Sequence, residues 1–308
     1  MITDLLKDRA LMMSSARSFF SSKNVTETDI PILSKGASVD AHIDLIPAKV
    51  SRKETYYLHS SPEYGMKRLL AEGSGDIYQL SHVFRDGEIS PKHRPEFMMC
   101  EWYRLNFTFQ QIIDETVDFI SLFLGALPVE QKTYRQTFLD FGIDPFSDYE
   151  TLVNELKKRG IEPYPELKAE GTDGCLNLLL SHFIEPTLGQ NKLFILSHYP
   201  ASQAALAKTT LEAGHPVAER FEVYYNGYEL ANGYHELADP IEQEKRLIEA
   251  NESRIAFGKD PLPIDYAFLA ALKKGLPPCC GVAVGFDRLM MLRHHKTNIK
   301  EILPLDDF

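Results

Sequence analysis

Gly281-Val282-Ala283-Val284-Gly285-Phe286-Asp287-Arg288-Leu289-Met290-Met291-Leu292 is the stretch whose reading decides the fold. An alternating apolar run meets a glycine, then a charged pair, then apolar residues at helical spacing, so a strand hands over to a helix. Small residues stand where the backbone has to be approached closely. Arg288 falls in the first turn of that helix, where a cation opposes the helix dipole, so helix stability does not account for it. A guanidinium at the mouth of a strand-to-helix turn suits a polyanion such as ATP. A surface arginine after a buried strand would give the same pattern.

Working backwards, residues 220–225 read as a strand, Asn226-Gly227 as a hairpin turn and residues 228–236 as the returning strand. Asn232-Gly233 interrupts the return and predicts a bulge or a close backbone approach. Glu222, Glu229 and Glu236 crowd this apolar and aromatic sheet. Carboxylates in such surroundings need cations, and magnesium, an arginine or a substrate ammonium would each serve. Exposed positions on an edge strand are the plainer alternative.

A second hairpin lies earlier. Residues 77–86 form a strand ending in charge, 87–95 a polar loop, and 96–103 a second strand. On that strand Phe97, Met99, Glu101 and Tyr103 share one face. Arg85 guards the entry, His93 and Arg94 sit in the loop, and Phe97 follows it, an arrangement fit to clamp ATP. A solvated hairpin with scattered charges fits as well. Ahead of it, Ser61 can cap a helix with Pro62 at its first position. Glu63 there is favoured by the dipole alone, or it is a pocket carboxylate for an ammonium group. Residues 4–21 fit an amphipathic helix, and 24–31 a short strand closed by Pro31.

The remaining elements frame these units. Residues 108–126 are expected to be a helix with Thr108 and Gln111 as a capping box. Residues 128–192 read as a mainly helical insertion beside the sheet, with helices near 149–159 and 173–185. Residues 192–196 form a short strand and 197–205 a loop; helices span 239–258 and 265–275. No glycine-rich phosphate loop of the P-loop or dinucleotide type occurs.

The 308 residues carry 44% hydrophobic and 25% charged side chains, an ordinary globular composition. No run approaches the roughly 20 apolar residues of a membrane span, and the first residues lack a signal-peptide layout. A cytoplasmic protein is expected. Cys100, Cys175, Cys279 and Cys280 show no metal-ligand spacing and are read as reduced. A net charge of −11 disfavours general nucleic-acid binding.

Three units now stand in order: helix–strand–Pro31; strand–Arg85–loop–Phe97–strand; and Gly281-x-Ala283-x-Gly285-x-Asp287-Arg288. They resemble motifs 1, 2 and 3 of the class II aminoacyl-tRNA synthetase catalytic domain. More closely, SPEYGMKRLL, HRPEFMMCEWYR, PASQAALA, AERFEVYYNGYELANGYHEL and GVAVGFDR resemble the lysyl-tRNA synthetase-like family that modifies elongation factor P, the elongation factor P–(R)-β-lysine ligases, through nearly the whole chain. The resemblance implies an α+β fold: one catalytic domain over 1–308, an antiparallel sheet flanked by helices, and a homodimer formed through motif 1. It implies an ATP-dependent ligase that adenylates (R)-β-lysine and passes it to a lysine of elongation factor P. Catalysis would rest on Arg85 at the α-phosphate and Arg288 at the γ-phosphate. Phe97 would stack on adenine; His93, Arg94, Glu229, the Leu230 backbone and Gly285 would complete the ATP site. Ser61, Glu63, Tyr103, Asn232, Glu236 and Ala283 would line the amino-acid pocket, and Glu229 and Glu236 would hold magnesium (Mg2+).

Two positions depart from the family pattern: Gly87 replaces an acidic residue, and Arg94 stands where asparagine is common. Two features favour the modifier over a free-standing lysyl-tRNA synthetase-like enzyme using α-lysine or tRNA. The chain begins at the first motif, leaving no room for an anticodon-binding domain, and Ala283 replaces the usual glycine on the pocket floor. A non-catalytic synthetase-like subunit would be expected to lack the motif arginines, and Arg85 and Arg288 are both present.

Overall fold

The computed structural model describes residues 2–51 and 54–307. Helix α1 (Ile2–Ser22) leads into β1 (Thr26–Glu27), β2 (Leu33–Ser34), β3 (Pro47–Val50) and β4 (Glu54–Leu58). Then come α2 (Glu63–Ala71), the hairpin strands β5 (Ile77–Phe84) and β6 (Glu96–Leu105), and α3 (Phe109–Leu124). The middle of the chain forms β7 (Val129–Thr133), α4 (Tyr134–Asp140), α5 (Tyr149–Lys158), α6 (Leu167–Leu179) and β8 (Leu193–Pro200). It closes with β9 (Thr209–Glu212), β10 (His215–Tyr225), β11 (Tyr228–His235), α7 (Pro240–Ala256), α8 (Tyr266–Gly275), β12 (Cys279–Gly285) and α9 (Phe286–Arg293).

Among the described residues a nine-stranded sheet runs β1-β5-β6-β12-β11-β10-β8-β7, with β9 beside β10; β2-β4-β3 form a small second sheet. The centre is antiparallel, as expected. Both ends are not: β1 runs parallel to β5 and β7 parallel to β8. This α+β arrangement places the three motif strands β5, β6 and β12 side by side.

Period-two alternation divides the sheet into a packed face and a polar one. Tyr78 and Leu80 of β5, Met98, Cys100 and Trp102 of β6, Phe221 and Val223 of β10, and Cys280, Val282 and Val284 of β12 join the main core under α1, α3 and α9. Phe20 of α1 stacks on Tyr78 at 4.2 Å between ring centroids, which docks the first helix. The opposite face lines one large cavity, and α2, α7 and α8 pack around a satellite core at its side. The four cysteines are free and buried, and no helix among the described residues is long and apolar enough to cross a membrane.

Several local expectations change. Residues 24–31 pair as a strand only at Thr26 and Glu27; Ile30 is held instead by its N–H donating to Gln79 Oε1 at 2.8 Å. Strand β8 continues through residues expected to be loop, because Ser197, Tyr199 and Pro200 pair with β10. The 128–192 segment is mainly helical but also supplies β7, whose parallel ladder with β8 extends the sheet. Thr108 and Gln111 form the expected capping box. The bulge in the β10–β11 hairpin lies at Val223/Tyr224, not at Gly233. Gly233 is the close approach: a Cβ there would lie 2.4 Å from the Phe221 ring.

Candidate active site

The polar face of β6, β10, β11 and β12 floors a cavity of about 1210 Å3. All of the expected site residues line it, from Ser61 and Glu63 at one end to Arg85, His93 and Arg288 at the other. The two ends have opposite charge.

At the acidic end, Glu101 is buried and accepts from Ser61 Oγ and from Tyr103 OH, each at 2.7 Å. Ser61 Oγ also accepts from the Glu63 N–H at 3.0 Å, so this hydroxyl starts α2 and aims Glu101 together. Glu63 and Glu236 meet across the fully buried Lys67, whose Nζ lies 2.6 Å from each. Burial pushes the Glu101 carboxyl up to about 7, with Glu63 adding to the shift. Burial also raises Glu236, and Lys67 acts against the rise. Gly281 passes so close that a Cβ there would sit 2.3 Å from the Tyr103 ring and 2.5 Å from Glu236 Oε1. No side chain fits at that point of the floor.

The basic end is built by the β5–β6 loop and the start of α9. Arg288 Nη1 donates to the Glu229 carbonyl at 2.6 Å and lies 3.5 Å from Glu229 Oε2. Its Nη2 donates to His93 Nε2 at 2.7 Å, which leaves Nδ1–H to donate to Ser90 Oγ at 2.8 Å. Burial first, then Arg288, Arg85 and Lys92, push the imidazole down to about 4, so it is neutral near pH 7. Arg85 lies 5.2 Å above the Phe97 ring and 3.8 Å from Glu88. That is too long for a strong hydrogen bond, so its donors remain largely uncommitted.

Arg94 departs from the nucleotide role expected of it, and Glu236, which lies with the expected amino-acid pocket, departs from the metal role. Arg94 is buried with its guanidinium spent on Asp306 at 2.7 and 2.8 Å and on the Ser90 and His93 carbonyls. It braces the loop and has little left to offer a nucleotide. Glu236 faces Lys67 at the acidic end, not Glu229. The carboxylate crowding Glu229 is Glu222: burial raises Glu229 and Glu222 raises it further, while Arg288 and Arg85 lower it. Glu222 is itself held by Arg220 at 2.5 Å and by the Tyr224 hydroxyl. Glu229, with Glu222 beside it, is the carboxylate here that could hold a hard cation with oxygen ligands. Among the described residues no ready-made cluster of three or more metal-ligating side chains occurs. Such an ion would take its other ligands from water and phosphate.

Asn232 lies between the ends, in register with Glu222 on β10 and Ala283 on β12. Its Nδ2 donates to Tyr234 OH at 3.0 Å, while its buried Oδ1 has no partner among the described residues. The sequence reading left Lys67 and Glu101 without a role. Glu101 had a signal, since strand alternation puts it beside Tyr103; Lys67 had only its four-residue spacing from Glu63.

A cavity acidic at one end and cationic at the other agrees with the comparisons. The family of tRNA synthetases class II (D, K and N) matches residues 1–306. An elongation factor P–(R)-beta-lysine ligase of Hamiltonella defensa is 41% identical, covering 98% of this chain and 94% of its own. The ligase of that name from Haemophilus ducreyi is 41% identical over 98% and 93%, and that from Vibrio vulnificus 42% identical over 96% and 94%. Carrying the motif strands, the cavity and this likeness from end to end, the chain belongs to the class II tRNA synthetases and, within them, to the elongation factor P–(R)-β-lysine ligases.

Proposed function

We propose that this chain activates (R)-β-lysine with ATP and joins it to a lysine of elongation factor P, releasing pyrophosphate and then AMP. One observation carries the reading: three carboxylates, the half-buried Glu63 and the buried Glu101 and Glu236, share a single cavity with Arg85, His93 and Arg288. A lysine-like substrate has two ammonium groups for the first end and a carboxylate to present to a nucleotide at the second.

In the first half-reaction a substrate carboxylate oxygen attacks the α-phosphorus and the bond to pyrophosphate breaks. Both reactants are anions, so their approach needs fixed positive charge. Arg85, with its donors uncommitted, supplies it at the α-phosphate; Arg288, with His93 beside it, holds the far end of the triphosphate. Phe97 offers adenine a ring face. A magnesium ion held by Glu229 and Glu222 would offset phosphate charge when bound. No protein nucleophile is needed, since holding the two substrates in line supplies much of the rate. In the second half-reaction the acceptor amine attacks the acyl carbon and AMP leaves, forming the new amide bond.

Two further statements belong to this reading. Leu6 and Leu11 of α1 and the adjoining Ile32 and Leu33 are exposed, and they support a homodimer through the first motif. The net charge of −11 supports a protein acceptor over tRNA in the cytoplasm. The deciding experiment supplies ATP with α- or β-lysine and offers purified elongation factor P or tRNA as acceptor. β-Lysine is expected to label elongation factor P; labelling of tRNA alone would overturn the proposal.

A further inference from the structure

Lys67 lies buried behind the acidic end of the cavity, beside two carboxylates that line it, and has no part in the reaction as derived above. Its side chain is fully buried, and its Nζ lies 2.6 Å from Glu63 on its own helix and 2.6 Å from Glu236 at the end of β11. A lysine is rarely buried unless paired, and here both partners are groups expected to grip substrate. A helix-stabilising pair explains Glu63 but not the buried contact to Glu236, about 170 residues away in sequence.

The charge balance suggests why the lysine is there. Three carboxylates, Glu63, Glu101 and Glu236, share the pocket with one resident ammonium. With all three ionised, as bound ammonium groups would hold them, the surplus is two negative charges, which matches the two ammonium groups of a lysine isomer. We propose that Lys67 is a positioning and specificity-determining residue: it clamps Glu63 and Glu236 in ionised, convergent orientations and sets the pocket charge for a doubly ammonium-bearing amino acid. This inference rests on the amino-acid pocket of the proposed function.

The surroundings support the assignment. The titratable and charged groups facing Glu236 are Lys67 and Glu63 from α2, Glu101 and Tyr103 from β6, Tyr234 from β11, and Cys279 and Cys280 from β12. Lys67 is the one cation among these, so nothing else in that set can hold Glu236 ionised. Burial disfavours the ammonium itself, but Glu236 and Glu63 outweigh that and keep it protonated. Without it the two carboxylates would repel, and Glu236 would take up a proton and become a neutral acid.

The test is ATP–pyrophosphate exchange driven by (R)-β-lysine. It compares the wild-type chain with Lys67→Met and with Lys67→Met/Glu236→Gln, from about pH 6 to about pH 9. Lys67→Met is expected to raise the amino-acid KM about tenfold or more and leave the ATP KM within about twofold. It should also move the acid limb of kcat/KM for the amino acid up by about one pH unit. Adding Glu236→Gln should remove that displacement, because the group that moved can no longer titrate. The double variant also serves if the single one does not fold, since it lacks the surplus carboxylate; a Glu236-like limb persisting in it would overturn the proposal. So would an unchanged amino-acid KM in Lys67→Met, or amino-acid and ATP KM rising together with the pH limb unmoved. A wild-type chain inactive with every lysine isomer would overturn the proposed reaction and this role of Lys67 with it. Wild-type exchange with a silent Lys67→Met would overturn the inference alone.

Discussion

Arg288 and His93 are joined across 2.7 Å, the guanidinium donating to Nε2, and this bond ties the start of α9 to the loop between β5 and β6. It requires a neutral imidazole, and burial with three nearby cations keeps His93 neutral down to about pH 4. The consequence for stability has a definite sign. In the unfolded chain the ring takes its proton near pH 6.5, whereas in the fold it resists until about 4. Between those values the unfolded state binds more protons, so stability falls as pH falls through the window and is unaffected above it. His93→Gln is expected to flatten the melting temperature between about pH 6.5 and about pH 4 and to raise the ATP KM about tenfold. Thermal melts across that range and ATP titrations check both; an equal slope in the variant would remove His93 from the explanation.

Arg85 stands apart from the other arginines of the site. Arg288 and Arg94 are committed to protein acceptors, while Arg85 only overlies Phe97 and lies 3.8 Å from Glu88. Little of the fold depends on it, and uncommitted donors are what the charge developing at an α-phosphate requires. Arg85→Ala should therefore lower ATP–pyrophosphate exchange by about 10²–10³-fold or more, with the melting temperature nearly unchanged. Exchange at the wild-type rate would dismiss Arg85 from the chemistry.

What could be read from the chain in advance followed from local rules. The alternation on β6, the turn at Asn226-Gly227 and the cap at Thr108 each depend on neighbours close in sequence, and each predicted element appears. What could not be read depends on distant contacts. The family pattern places Arg94 at the nucleotide; its carboxylate partner, Asp306, lies more than two hundred residues away. Glu222, Glu229 and Glu236 have equal spacing and the same chemistry, so sequence alone could not divide them. Lys67 divides them, claiming Glu236 for the acidic end and leaving Glu229 with Glu222. The parallel pairing at the sheet edges is hidden for a similar reason, since β1 and β7 are short and owe their pairing to strands formed far along the chain.

Asp287 joins the three motifs through one carboxylate. Its Oδ1 takes Arg9 of α1 at 2.6 Å and its Oδ2 takes the Met98 N–H of β6 at 2.7 Å, while its own backbone opens α9. It is 2% exposed. Removing it leaves a largely buried guanidinium and a buried N–H without their partner, and breaking a buried pair in this way costs about 3–5 kcal/mol. Asp287→Ala should lower the denaturant midpoint accordingly, and because Arg288 is the next residue, weaken ATP binding too. A variant as stable as the wild type would show that α1 is held by its apolar contacts alone.

Ala283 decides a finer matter. On β12 it lies opposite Glu101 of β6 and Asn232 of β11, and it lines the cavity. Two positions earlier, Gly281 admits no Cβ at all, since one would meet Tyr103 and Glu236. The floor therefore carries one methyl group, placed between a carboxylate that would take a substrate ammonium and an amide whose Oδ1 is unpartnered. Moving an amino group from the α to the β carbon shifts its position by about one bond, a distance comparable to that methyl. A single methyl in a pocket is worth about 1–3 kcal/mol, or roughly 10–200-fold in kcat/KM. Ala283→Gly is expected to reduce the preference for β- over α-lysine by about tenfold and leave the ATP KM unchanged. The measurement is the ratio of kcat/KM for the two isomers in ATP–pyrophosphate exchange. If that ratio stays fixed, the choice of isomer is made by Glu101 and its partners Ser61 and Tyr103, and the methyl on the floor is only packing.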